Sequence, residues 1–259
     1  MQSDRTRYLH DLGVVNWVHR APAVATPAAT TAAVPVTEAP VVPQASPVES
    51  AARQSAIAAM DWDALGAAVR SCTACGLRAG CTQTVFGVGA RDARWLVIGE
   101  APGADEDKQG EPFVGRAGQL LNSMLAAIGL KREQVYIANI LKCRPPKNRD
   151  PKPDEAQLCR PFLERQIALI KPTLILAVGR IAAQNLLDTD TPIGKMRGQL
   201  HQVAGIPVVV TYHPAYLLRS PSEKRKAWED LKFAVRTFRE RTAQSGVQAL
   251  QNGASGMTR

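Results

Sequence analysis

Residues 95–107 read WLVIGEAPGADED: a five-residue apolar run, Trp95–Gly99, stops at glycine and passes into a loop crowded with carboxylates. A short, unbroken apolar run bounded by turn residues is the mark of a strand buried on both faces. The same pattern returns at Val135–Leu141 (VYIANIL), Thr173–Val178 (TLILAV) and Val208–Thr211 (VVVT). Between these runs the apolar period changes. Residues 117–129 (AGQLLNSMLAAIG) place Leu120, Leu121, Met124 and Leu125 on one helical side, and residues 154–170 read as a helix interrupted or restarted at Pro161. Strands alternating with helices predict an α/β fold: three αβα layers around a central, mostly parallel, four-stranded sheet. In such sheets ligands bind at the carboxyl ends of the strands, which directs attention to the residues after Ile98, Ile140 and Thr211.

Outward from this core the chain changes character. Residues 1–20 form a short N-terminal segment whose apolar positions are Leu9, Leu12, Val15, Trp17 and Val18. Residues 21–55 are rich in alanine and proline, with six prolines from Pro22 to Pro47, and read as a disordered, extended linker because proline fixes φ and removes a donor. The globular domain is expected over 56–241 and a flexible tail over 242–259. The 259 residues carry 32 Lys and Arg against 23 Asp and Glu, a formal net charge of +9, which suits a polyanionic partner. There is no membrane-length apolar run and no apolar segment of secretory type at the N-terminus, so a cytoplasmic protein is expected.

Five cysteines in a reducing compartment read as thiols or metal ligands rather than disulfides. Cys72 and Cys75 form C-x2-C; Cys143 and Cys159 are a second pair from a distant segment. Four thiolates so arranged suit either zinc or an iron–sulfur centre, and spacing alone does not separate them. Buried free thiols are the plainer alternative. Such a centre would staple the N-terminal edge of the domain to the loop and helix after the second strand. Cys81 stands apart.

Chemistry-bearing residues gather at the strand ends. In GEAPGADED (Gly99–Asp107) the carboxylates could bind Mg2+ or supply a catalytic group, or simply form an acidic loop. In GEPFVGRAGQLL (Gly110–Leu121), Phe113 lies in a loop where an aromatic ring can stack on a flat ligand. ANILKCRPPKNRDP (Ala138–Pro151) places Asn139, whose amide presents a donor beside an acceptor, next to the cations Lys142, Arg144, Lys147 and Arg149. YHPAYLLR (Tyr212–Arg219) contributes His213, one of four histidines. An amide, a histidine and a loop phenylalanine at neighbouring strand ends make a site for a flat, polar, uncharged ring.

These segments, with cysteines at 72, 75, 143 and 159, closely resemble the iron–sulfur uracil-DNA glycosylases called family four, over about residues 65–240. The resemblance implies a [4Fe–4S] cluster on Cys72, Cys75, Cys143 and Cys159, and hydrolysis of the N-glycosidic bond of deoxyuridine in DNA. It implies that Phe113 stacks on a flipped uracil, Asn139 reads its O4 and N3–H edge, and His213 hydrogen-bonds O2. It implies further that Leu217 is the wedge filling the vacated stack and that Arg219, Arg144 and Arg149 meet the DNA. Glu100 and Ala101 line the pocket, while Glu106 and Asn148 lie near the sugar or the uracil C5 side and orient the water.

Two departures stand out. Ala101 occupies the place where the best-known uracil glycosylases carry a water-activating aspartate, and Cys81 stands where many relatives have arginine. The Lys-Arg-Arg-Ile-His insertion that marks covalently trapping relatives is absent, which implies a turnover enzyme. The expected partner is uracil-containing DNA, single- or double-stranded, met by a monomer associated with the nucleoid, with residues 1–20 free to engage a protein partner. The competing reading is a non-catalytic iron–sulfur DNA-binding or polymerase-associated module. The Asn139–His213 combination speaks against it, since binding alone has no need of a base-reading amide opposite a histidine.

Overall fold

The computed structural model describes residues 47–254, with side chains over 49–244; residues 1–20 and most of 21–55 lie outside the described residues. The chain runs through α1 (Pro47–Ala59), α2 (Trp62–Arg70), β1 (Val88–Gly89), β2 (Trp95–Gly99), α3 (Ala104–Gln109), α4 (Arg116–Ala127) and β3 (Tyr136–Asn139). It continues through α5 (Pro153–Ile170), β4 (Leu174–Val178), α6 (Arg180–Leu187), α7 (Ile193–Met196), β5 (Leu200–Val203), β6 (Ile206–Thr211), α8 (Pro214–Arg219) and α9 (Lys224–Ala254).

The strands form one sheet of order β1-β3-β2-β4-β6-β5. The four expected strands, β3, β2, β4 and β6, are adjacent and parallel, but the sheet has six strands and is mixed, because β1 and β5 add antiparallel edges. Both additions are weak sequence signals. β1 is two residues long, and β5 (LHQV) alternates exposed with half-buried positions. β5 joins β6 through Ala204 and Gly205, both at positive φ (49° and 77°), the primed geometry that tight hairpins require.

Successive strand residues point to opposite faces, and each face has its own core. Leu96, Ile98, Ile175 and Ala177 pack with Ala156, Leu163 and Ile167 of α5 and with Ala182, Ala183 and Leu186 of α6. Val97, Ile137, Leu174 and Leu176 pack with Leu121 and Leu125 of α4, Leu217 of α8 and Leu231 of α9. These are the three layers, and they explain why β2, β3 and β4 are buried at every position.

Three further boundaries differ from the sequence reading. Helix α5 runs unbroken through Pro161, which is buried within it. Residues 47–55, expected in the linker, lie in α1: Pro47 is the last proline before Pro102, so a helix can propagate from it. Residues 242–254 continue α9. No helix among the described residues is long and apolar enough to cross a membrane.

Candidate active site

The register aligns the carboxyl ends of the parallel strands. Gly99 lies opposite Asn139 and Val178 opposite Thr211. The chain leaves β2 for β3 on one side, then crosses back to β4 on the other, so a crevice opens where the strand order reverses. A cleft of about 730 Å³ lies there, lined by Glu100, Ala101, Glu106, Phe113, Asn139, Asn148, Arg180, His213, Tyr216 and Arg219, among others. Segments separated by more than 100 residues in sequence thus meet in one place, as expected.

Asn139, the last residue of β3, is 2% exposed, and its Oδ1 has no hydrogen-bond partner. A buried acceptor left unpaired costs about 1–3 kcal/mol, so this amide is set for a donor that arrives with a ligand. Gly99 opposite it keeps the space clear: a Cβ there would come within 2.5 Å of both Asn139 Oδ1 and the Phe113 ring. The Phe113 and His213 rings stack at 5.6 Å between centroids and 29° between planes.

His213 caps α8: its Nδ1 accepts the Ala215 N–H at 3.1 Å. That bond fixes the tautomer, because an accepting Nδ1 leaves the proton of the neutral ring on Nε2. Burial, helped by the nearby Arg219 cation and opposed by Glu106, lowers its pKa to about 4. At neutral pH His213 is therefore an uncharged ring with a single N–H to offer. Glu100, at the exit of β2, behaves in the opposite sense: burial, reinforced by Asp150 and opposed by Arg180, raises its pKa to about 7.

Several expected residues are placed differently from their sequence roles. Leu217 is 1% exposed and packs in the core with Phe113 and Leu121, so it is not presented as a wedge. In the short helix α8, Pro214 and Leu217 share the inward face, and the outward aromatic is Tyr216, 37% exposed. Glu106 does not stand free: it accepts the backbone N–H groups of Gly103, Val114 and Gly115 at 3.0–3.2 Å. Arg149 forks onto Glu155 and ties its loop to α5 rather than reaching outward. Arg144 donates to Asn148 Oδ1 at 2.7 Å, while Arg219 is exposed at the end of α8.

Two contributors escaped the sequence reading. Arg180 lines the cleft directly after β4, whose carboxyl end obeys the same rule as the other three strands and would have pointed to it. Arg132, outside every motif, grips the Phe113 loop.

Behind Ala101 and Leu141 lies the cysteine region. Cys72, Cys75, Cys143 and Cys159 line one small cavity walled by Val69, Leu77, Leu141 and Phe162. Burial pushes the thiols of Cys75, Cys143 and Cys159 above their ordinary values. Among the described residues no group of three or more His, Cys, Asp or Glu side chains is already drawn together to hold a metal ion. The donor chemistry nevertheless fits a soft metal centre. Four sulfurs share the cavity, the Arg53 guanidinium lies 3.8 Å from Cys72 Sγ, and the fully buried Lys142 ammonium adjoins Cys143 in the chain.

A doubly wound sheet, a cleft at its strand ends and an unpaired buried amide beside an aromatic ring define a protein with a site for a flat, polar ligand. Residues 86–232 match the uracil DNA glycosylase superfamily. The chain is 46% identical to the type-4 uracil-DNA glycosylase of Archaeoglobus fulgidus over 172 residues, 63% of this chain and 86% of the relative. It is 45% identical to that of Thermotoga maritima over 170 residues, 64% and 88% of the two chains. With that of Pyrobaculum aerophilum the identity is 39% over 180 residues, covering 66% and 92%. The chain belongs to the uracil DNA glycosylase superfamily, in its type-4 branch.

Proposed function

We propose that this chain hydrolyses the N-glycosidic bond of deoxyuridine in DNA, releasing uracil and leaving an abasic site. The observation that carries this reading is the unpaired Asn139 Oδ1, buried opposite Phe113 and His213. Uracil offers a donor at N3 beside an acceptor at O4, and the Asn139 amide answers both. Cytosine offers the reverse pair and leaves two buried polar groups mismatched.

The target nucleotide must leave the duplex to enter the cleft, at a cost of a few kcal/mol in stacking and pairing. Arg219 at the cleft would meet the phosphates, and the exposed Tyr216 would fill the gap in the stack. In the cleft the uracil stacks on Phe113. As the C1′–N1 bond breaks, the electron pair moves onto the base and charge gathers at O2, where His213 Nε2–H donates. A neutral donor serves here, because it stabilises the uracil anion without competing to protonate it. Such a preorganised donor is typically worth about 3–4 kcal/mol of barrier. Water adds at C1′ and yields its proton to solvent. Glu106 is committed to three backbone amides and the Asn148 Oδ1 to Arg144, so Asn148 at the cleft wall would orient the water through its amide NH2.

Cys72, Cys75, Cys143 and Cys159 would hold the [4Fe–4S] cluster, which supplies a structural tie and no step of the hydrolysis. The enzyme acts as a cytoplasmic monomer on uracil-containing DNA.

Single-turnover cleavage tests the reading. His213→Ala should slow excision about 100- to 1,000-fold while leaving DNA affinity nearly unchanged, because the contact matters in the transition state. The wild-type rate should show no inflection near pH 6.5 from His213, whose ring stays neutral down to about pH 4. Excision at the wild-type rate by His213→Ala would transfer the leaving-group charge to another residue and sink the mechanism.

A further inference from the structure

Phe113 has φ 55°, the left-handed region that residues with side chains avoid, and no neighbouring glycine relieves it: the residue before it is Pro112 and the one after is Val114. Something outside the segment must hold it there. Two full charges do so from opposite sides. Glu106 takes the amides that follow, Val114 N–H at 3.0 Å and Gly115 N–H at 3.2 Å. Arg132 takes the carbonyls that precede and include the residue, donating from Nη2 to Pro112 O at 2.6 Å and from Nη1 to Phe113 O at 3.2 Å.

Arg132 opens the short turn Arg132–Gln134 before β3 and is itself oriented by Asn122 Oδ1 of α4 at 3.2 Å. The approach of α4 from the same side requires Gly118, since a Cβ there would collide with the Phe113 carbonyl. The guanidinium is half-buried, and burial lowers its pKa, opposed by Glu111, Glu133 and Glu106. A cation is thus kept in a partly dry place for contacts that are all with backbone or amide oxygens.

We propose that Arg132 is a positioning residue for uracil excision: by pinning the Pro112 and Phe113 carbonyls it keeps Phe113 in its left-handed conformation, with the ring facing Asn139 and His213. This rests on the uracil-excision reading above. Arg132 touches neither substrate nor reacting atoms; it acts through the ring. If the clamp is released, the loop relaxes toward ordinary φ and the stacking platform moves. Misplacement of a positioning group by about 1 Å can cost on the order of 100-fold in rate.

The test is a double-mutant cycle in single-turnover excision with wild type, Arg132→Met, Phe113→Ala and the double variant. Arg132→Met should slow excision about 10-fold or more, with binding to uracil-free duplex unchanged. Arg132→Lys, able to reach one of the two carbonyls, should recover part of the loss. The double variant should be no slower than Phe113→Ala, because without the ring there is nothing left to position. Arg132→Gln, which keeps a single donor group, carries the same cycle should Arg132→Met not fold. Multiplicative losses in the double variant, a wild-type rate in Arg132→Met, or weakened binding to uracil-free DNA would each overturn the proposal. Wild-type protein that released no uracil at all would instead overturn the reading on which it rests.

Discussion

Glu100 and His213 show how one cleft moves two ionisable groups in opposite senses: each is driven toward its neutral form, so the acid's pKa rises and the base's falls. A neutral His213 donor suits a substrate whose leaving group becomes an anion. The consequence for Glu100 is measurable in stability. Its ordinary value is 4.5 and its folded value about 7, so the folded state binds a proton that the unfolded state releases. Stability from this source is fully present below pH 4.5 and is lost as pH rises through 7. Glu100→Gln removes the titration. Its melting temperature should therefore gain on wild type between about pH 4.5 and 7 and hold that lead above, in a paired series of thermal melts. A constant difference across that window would show that Glu100 titrates normally. At this scale the sequence was legible where a side chain lines the cleft, as Asn139, His213 and Phe113 all do. It was not legible where a side chain acts on backbone. Nothing in the string REQ marks Arg132 as the holder of a carbonyl twenty residues upstream. The assignment of Leu217 went astray because sequence gives the spacing from His213 but not which face of a six-residue helix turns inward.

The elements that could be read are those with strong, continuous burial. β2, β3, β4 and β6 announce themselves because both faces are covered; β1 and β5 do not, because an edge strand needs only half a pattern or less. Helix α1 was obscured by its surroundings: the proline-rich composition upstream extends to Pro47 and masks a thirteen-residue helix that starts at that proline. Its contacts are specific. Ile57 is 3% exposed, Arg53 sits over the Phe162 ring at 5.0 Å, and the same guanidinium reaches Leu158 O and Cys72 Sγ. A truncation before Pro47 should leave excision and urea stability unchanged, since the cleft residues among those described all lie beyond it. One that also removes α1 should cost at least about 2 kcal/mol, the worth of burying Ile57 alone, with the loss read from urea midpoints. Equal midpoints for the two truncations would mean that α1 does not contribute to the folded domain.

At the scale of the whole molecule, the question is what ties the N-terminal helices to the catalytic sheet. Backbone pairing does little of it, for α1 and α2 lie outside the sheet and pack chiefly on α5. The cysteines bridge that seam: Cys72 and Cys75 follow α2, Cys143 follows β3, and Cys159 lies on α5. Cys143 is four residues beyond Asn139 and five before Asn148, so whatever fixes it also fixes the loop between these two cleft residues. Cys81 packs beside Cys143 but does not line the cavity of the other four. If the four cavity thiols ligate a [4Fe–4S] cluster, protein purified without oxygen should be brown and contain about four irons per chain. Cys143→Ala should lose the iron, melt earlier and excise uracil more slowly, the last because Asn148 loses its anchor. Cys81→Ala should keep iron, stability and rate together. Iron and zinc are separated by elemental content of the wild-type protein: one zinc per chain without iron would leave the seam stapled by a different metal. Full iron retention in Cys143→Ala would remove that cysteine from the ligand set and with it the proposed link between the cluster and Asn148.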